Sequence, residues 1–254
     1  GPDSVTPPGH WNEFAADLSY RYRYGLDDDV KLFFALNAAL MDSAIACWES
    51  KRAHDFIRPV SAIRHLYFDA TVPGWAGPGL GMQTLPGARW QPFQRLTFVT
   101  PAFQEYTSGH STFSRASAEV LTAITGSEFF PGGLAQWTVP AGSLEFEAGP
   151  AADVTLQWAT YYDAADQAGL SRLYGGIHIR ADDLPGRVMG ASIGQAAWAR
   201  ALQYFQGGDP VFTLDPRTDA PVTYWVRIEH ARVPYSGELF IHSHGRLREQ
   251  RILQ

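Results

Sequence analysis

A single cysteine, Cys47, leaves this chain unable to close an intrachain disulfide or to build a zinc site on thiolates. It lies in the apolar run LMDSAIACW, where a buried, inert thiol is expected. An excess of basic charge is also missing. The 26 acidic residues outnumber the 20 basic ones and set the formal charge at −6, which argues against nucleic acid or an anionic membrane as main partner. Lysine is scarcer still: only Lys31 and Lys51 occur, and the other basic side chains are all arginine. Guanidinium suits anion recognition, although a GC-rich genome gives the same bias and is the simpler cause. No uninterrupted apolar stretch reaches the ~20 residues of a bilayer span. The longest, VKLFFALNAALMDSAIACW, is broken by Asn37, Asp42 and Ser43, and reads as a buried helix with no membrane span. The chain opens GPDSVTPPGHWNEF, without the basic start and apolar stretch of a leader. A processed secreted or periplasmic protein has this appearance, and that setting is favoured over the cytoplasm.

What is present is enough for one large domain: 254 residues, 45% of them hydrophobic. Residues 1–28 read as an extended lead-in with one short helix from Trp11. Asp27, Asp28 and Asp29 supply capping and dipole charge for a long central helix running to about Lys51. RPVSAIRHLYF continues as a second helical piece begun by Pro59. Asp69 to Thr100 is rich in Gly, Pro and Trp and reads as a long irregular loop, as do residues 127–150. STFSRASAEVLTAITG is a helix ending at Gly126, and AADVTLQWATYYDAADQAGLSRLY and ADDLPGRVMGASIGQAAWARALQYF are two more, with Gly175 and Gly176 between them. The division is therefore a lead-in (1–28), a helical-bundle catalytic domain (29–206), and a C-terminal extended or β segment (207–254) packed on the same domain. The fold class is mainly α, with strands only at the C-terminal end.

Three stretches carry chemistry. In KRAHDFIRP, Lys51 and Arg58 stand seven apart, close to two turns at ~3.6 residues per turn, so on one helix they share a face. They are either two solvated cations or a clamp for a multiply charged oxyanion. In YTSGHSTFS, Ser108, Gly109 and His110 enter a helix whose first N–H groups and dipole favour an anion. Ser108 adds a hydroxyl, Gly109 a close-approaching backbone, and His110 a proton shuttle near neutral pH. A plain capped turn is the bland alternative. In SRLYGGIHIRADD, Arg172 offers a fork of donors, and Asp182, four residues after His178, can fix the imidazole tautomer. Taken alone, His178 also fits a satisfied core histidine.

Together the order Lys-x6-Arg-Pro, Ser-Gly-His, Ser-Arg-x5-His-x3-Asp resembles the superfamily that joins type 2 acid and lipid phosphatases with the vanadium-dependent haloperoxidases. The resemblance spans roughly residues 30–200; Thr107 replaces the usual Pro before Ser-Gly-His, and the 111–170 gap is long for the small phosphatases. It implies the helical-bundle fold of that superfamily and a vanadate cofactor, with phosphate or sulfate able to take the same cage. Lys51, Arg58, Ser108, Gly109 and Arg172 would bind the equatorial oxygens. His110 would act as acid–base residue, His178 as apical ligand to vanadium, and Asp182 as its support. Trp48, three before Lys51, resembles the haloperoxidase version of the first motif. Phe103, five before Ser108, matches the halide-pocket aromatic of fungal chloroperoxidases, where algal bromoperoxidases tend to carry His.

The resemblance therefore implies a haloperoxidase that oxidises halide with hydrogen peroxide to a hypohalous species. A phosphatase acting on a phosphate ester, with His178 as nucleophile and His110 as general acid, is the alternative. A non-catalytic oxyanion-binding relative is the third. Haloperoxidases of this kind carry two helical bundles, and the ~50 residues before Lys51 are too few for the first. A separate N-terminal helical half or a homo-oligomer is therefore expected against the central helix. His242 and His244 alternate on a possible strand and read as surface residues. His54 and His65 flank the first motif, and Arg180 with Asp183 is a candidate pair at the entrance.

Overall fold

The computed structural model describes residues 6–207 with side chains and, beyond them, the backbone of four strands. His242 is known only as a backbone position on one strand, and His244 lies outside the described residues. The chain divides into two compact units, Gly1–Ala201 and Leu202–Gln254.

In the first unit, α4 (Gly109–Thr125) is the hub, contacting α1 (Pro7–Tyr22), α2 (Leu26–His54) and α5 (Tyr161–Tyr174). Its inward residues are small and often hydroxylated: Ser111, Thr112, Ser114, Ala116, Ser117 and Ala118 are all buried. Small side chains let several helices approach at once, and the hydroxyls find local acceptors. Thr112 Oγ1 donates to Ser108 O at 2.9 Å, and Ser117 Oγ to Phe113 O at 2.9 Å. Gly190 and Gly194 of α6 (Arg180–Phe205) show how tight this is. A Cβ there would come within 2.4 Å of Thr112 O and 2.5 Å of Ala116 O. Apolar weight comes from Leu32 and Leu36 on α2, Val120 and Leu121 on α4, and Leu18 on α1, all buried. Each contributes roughly 1.5–3 kcal/mol.

The ends of α4 follow the sequence. Ser108 caps it by accepting from Ser111 N, an interaction worth about 1 kcal/mol, and Gly126 closes it in the left-handed region at φ +68°. α2 ends at His54, where Asp55 turns left-handed, and α3 (Pro59–Leu66) restarts from an extended Arg58. Pro59 has no N–H to continue a helix and holds the preceding residue extended. Lys51 and Arg58 thus do not share one helical face; a turn brings them together.

Two further readings are corrected. The lead-in is not extended, because α1 fills most of it, with Trp11, Ala15 and Leu18 buried. Strands are not confined to the C-terminal end: β1 (Thr71–Trp75) pairs antiparallel with β2 (Met82–Pro86), and β3 (Ala135–Val139) with β4 (Val154–Trp158). In the second unit, β5 (Phe212–Thr213), β6 (Val222–Arg227), β7 (Gly237–Ser243) and β8 (Arg246–Leu253) form an antiparallel sheet in sequence order.

The segment Leu26–Leu66 is long and apolar enough to cross a membrane. α2 nevertheless buries Leu32, Leu36, Leu40 and Cys47, and sets Lys51 in the interior, which is the pattern of a core helix. Its other side leaves Val30, Phe34, Met41, Ile45 and Trp48 exposed at helical spacing.

Candidate oxyanion site

The three motifs meet where the end of α2, the start of α4 and the α5–α6 turn come together. Lys51 is 1% exposed and its ammonium donates to Gln104 O at 3.1 Å, Glu105 O at 2.7 Å and Thr107 O at 2.5 Å. These bonds pin the loop that carries Phe103 into α4. Burial, ahead of any neighbouring charge, pulls the Lys51 pKa down to about 8. Arg58 donates through Nε to Phe103 O at 2.8 Å and through Nη1 to Ile177 O at 2.9 Å. The same Nη1 lies 3.1 Å from His178 Nε2. Arg172, the third cation, keeps its Nε buried without a hydrogen-bond partner. Burial and the nearby Arg58 charge lower its pKa.

His178 follows α5 through Gly176, whose φ of +68° turns the chain, and Ile177 N donates back to Arg172 O at 3.2 Å. Its Nδ1 hydrogen-bonds Asp182 Oδ2, and Asp182 Oδ1 accepts from Ile179 N at 3.1 Å. A carboxylate only accepts, so Nδ1 carries the proton and Nε2 a lone pair, on the side of Arg58. Burial lowers the His178 pKa, opposed by Asp182. The i,i+4 support expected of Asp182 is therefore in place. Ser108 N donates to Asp182 O at 3.2 Å, which ties the second motif to the third.

Ser108 Oγ accepts from Ser111 N at 3.4 Å and lies 2.8 Å from Ser111 Oγ. The single Ser111 hydroxyl proton goes to Asp183 Oδ1, so the Ser108 proton rests on Ser111 Oγ and would have to turn from it to meet an anion. A Cβ on Gly109 would meet nothing closer than 3.7 Å, so packing does not demand glycine there. Close approach of a ligand to the backbone would. His110 is held well below the ordinary imidazole pKa by burial first, then by Arg172, His178 and His10. It therefore stands as a neutral base beside the cations rather than as a group titrating near neutrality.

Trp48 and Phe103 lie against each other, with centroids 5.1 Å apart. Lys51 Nζ sits 5.4 Å and Arg58 Cζ 5.2 Å from the Phe103 ring. Both rings remain partly exposed, at 43% and 39%, so from this chain they shield one side only.

Glu105 is not among the residues singled out from the sequence. It is 3% exposed, its Oε1 has no partner, and burial followed by Asp182 pushes its pKa up to about 7. Glu105, His178 and Asp182 place one ligand atom each within 4.8 Å of one another. Lys51 and Arg58 act on the same carboxyl, an arrangement that opposes a metal cation and suits a shared proton. Its position three residues before Ser108 was the available signal. The expected Arg180–Asp183 pair is not formed. Asp183 is buried, accepting from Ser111 Oγ at 2.7 Å and from Arg187 Nη2 at 2.9 Å. His54 and His65 are exposed, and Cys47 is a buried free thiol, as expected.

Vanadate fits these residues. Buried Lys51 and Arg58 converge with half-buried Arg172 without a salt bridge among the described residues, Arg172 Nε is orphaned, and an imidazole lone pair lies beside Arg58.

Residues 31–207 match the family model for the VCPO second helical-bundle domain. No curated protein matches. Among solved structures, a bacterial vanadium-dependent chloroperoxidase in its apo form shares the fold with a TM-score of 0.71 at 24% identity, over 79% of this chain and 42% of that one. Its holo form gives 0.70 at 25% identity with the same coverage. A bacterial vanadium-dependent iodoperoxidase gives 0.57 at 26%, over 78% of this chain and 40% of that one. The chain thus spans less than half the length of these relatives. By the family match over most of its length, this chain belongs to the vanadium haloperoxidases, as their second helical-bundle domain.

Proposed function

We propose that this chain binds vanadate and oxidises halide with hydrogen peroxide to a hypohalous acid. The observation that carries the reading is the convergence of buried Lys51 and Arg58 with Arg172, whose Nε is buried and unpartnered, beside Nε2 of His178, whose lone pair faces Arg58; none of the three cations forms a salt bridge among the described residues. The three cations would balance the oxyanion charge, and the Ser108 hydroxyl and Gly109 N–H would donate to its oxygens. His178, oriented by Asp182, would ligate through Nε2. His110, kept neutral, would take a proton from incoming peroxide. Trp48 and Phe103 would strip water from halide on one side. Bound vanadate would supply the Lewis acidity that makes peroxide oxygen electrophilic.

The test is bromination of monochlorodimedone by protein loaded with orthovanadate, with bromide and peroxide. Turnover that requires vanadate and is abolished in His178→Ala supports the proposal. Hydrolysis of phosphate esters without any halogenation would replace it with the phosphatase, and oxyanion binding without either turnover would leave a binding protein. The exposed stripe on α2 from Val30 to Trp48 would be covered by a second helical half or by another copy of this chain.

A further inference from the structure

A cavity of about 510 Å³ shares two residues, His110 and Arg172, with the oxyanion cage. Helix α1 contributes Trp11 and Phe14 to its wall, and the β3–β4 hairpin contributes Trp137 and Trp158. The rings brace one another edge to face. Phe14 meets Trp11 at 5.3 Å and Trp158 at 5.7 Å, while Trp137 meets His10 at 6.2 Å. Two indole N–H groups are already used: Trp11 Nε1 donates to Ser114 Oγ at 3.0 Å and Trp158 Nε1 to Gln167 Oε1 at 2.7 Å. The wall therefore offers mostly preformed aromatic and aliphatic surface, with His110 and Arg172 at the cage and Glu13 and Gln167 among its other hydrogen-bonding side chains. The volume lies within the ~300–1,000 Å³ of small-molecule sites.

Resting on the haloperoxidase reading, we infer that this cavity is an organic-substrate site for a neutral, electron-rich aromatic of the indole type, halogenated there before hypohalous acid escapes to solvent. Aromatic walls favour a ring over an alkyl chain because edge-to-face contacts add to area burial. Neutrality follows from Arg172: a carboxylate would be drawn to that cation and compete with the oxyanion. Electron richness follows from the chemistry. Halide loses two electrons to the O–O bond of peroxide, giving, with one proton, hypohalous acid and water. The ring carbon then takes the halogen, the C–H electron pair restores aromaticity, and the released proton joins hydroxide as water.

Two measurements separate this inference from the reading beneath it. Saturation-transfer NMR on the vanadate-free chain should show indole bound, and Trp137→Ala (a removed wall) or Leu156→Trp (a filled cavity) should abolish the signal. Binding of octanol but not indole, or no indole binding, would overturn the site whatever the protein's turnover. In vanadate-loaded protein, indole and monochlorodimedone compete in one flask for oxidised bromide. Reagent hypobromite fixes the ratio expected in free solution. The parent chain should favour indole by at least about tenfold over that ratio, and both variants should return to it. This ratio does not depend on how much protein is active. A parent ratio equal to the reagent's sinks the inference while leaving the peroxidase intact; indole binding without turnover overturns the peroxidase reading and the halogenation with it, and keeps only the binding site.

Discussion

Asp182→Asn isolates one proton. Asp182 Oδ1 accepts from Ile179 N at 3.1 Å while Oδ2 accepts from His178 Nδ1, so both carboxylate oxygens face donors. Asparagine keeps one acceptor and replaces the other with an NH2. If its oxygen stays on Ile179 N, the NH2 faces Nδ1 and drives the imidazole proton to Nε2, where it meets Arg58 Nη1, 3.1 Å away. If the amide flips, the NH2 opposes the Ile179 N–H instead. Either arrangement buries an unmatched donor, at a cost of about 1–3 kcal/mol. Vanadate, which needs the Nε2 lone pair, should therefore bind roughly 10- to 100-fold more weakly. Sulfate, held by cations and hydrogen bonds alone, should lose less. The fold should persist, because the Ser108 N bond goes to the Asp182 main-chain oxygen. Calorimetric titration with both anions measures the difference, and nitrogen-15 shifts of His178 report the tautomer. Vanadate affinity within about twofold of the parent, with Nε2 still unprotonated, would refute the reasoning.

Anion affinity should also depend on pH with a definite sign. Lys51 loses its proton above about 8 and Glu105 gains negative charge above about 7, so sulfate should bind best below pH 7 and progressively less above 8. A bound dianion raises both values and moves the fall somewhat higher; affinity that is flat or rising in a pH-stat titration from 6 to 9 contradicts the assignment. Gly194→Ala puts a Cβ 2.5 Å from Ala116 O and should cost about 1–3 kcal/mol, read as a lower Tm with unchanged oxyanion residues. Arg172→Met keeps the length and removes the orphaned Nε, so sulfate affinity should drop by roughly tenfold with little loss of stability. Light scattering after size exclusion checks the α2 stripe: a stable monomer of 28.1 kDa with no associated chain would count against a covering partner.

Much of the site could be read along the chain because its rules are local. Ser108 as N-cap and Gly126 as terminator are fixed by helix geometry, while the step from His178 to Asp182 is a contact from the chain just before α6 back onto its first turn. The motif order identified the remaining cations. Tertiary structure alone decided what distant segments do to one another. The Arg58 guanidinium reaches Ile177 O, 119 residues away, because α2 stops and the chain turns. Glu105 acquires its raised pKa only where the loop is folded onto Asp182. Gly and Pro obscure the two-residue period of the first hairpin, VTLQW of the second reads on into the helix after it, and strand pairing is settled by a partner elsewhere in the chain. The aromatic cavity was invisible for the same reason: Trp11, Trp137 and Trp158 are unremarkable singly and become one surface only when α1 and a hairpin are brought to the same helices.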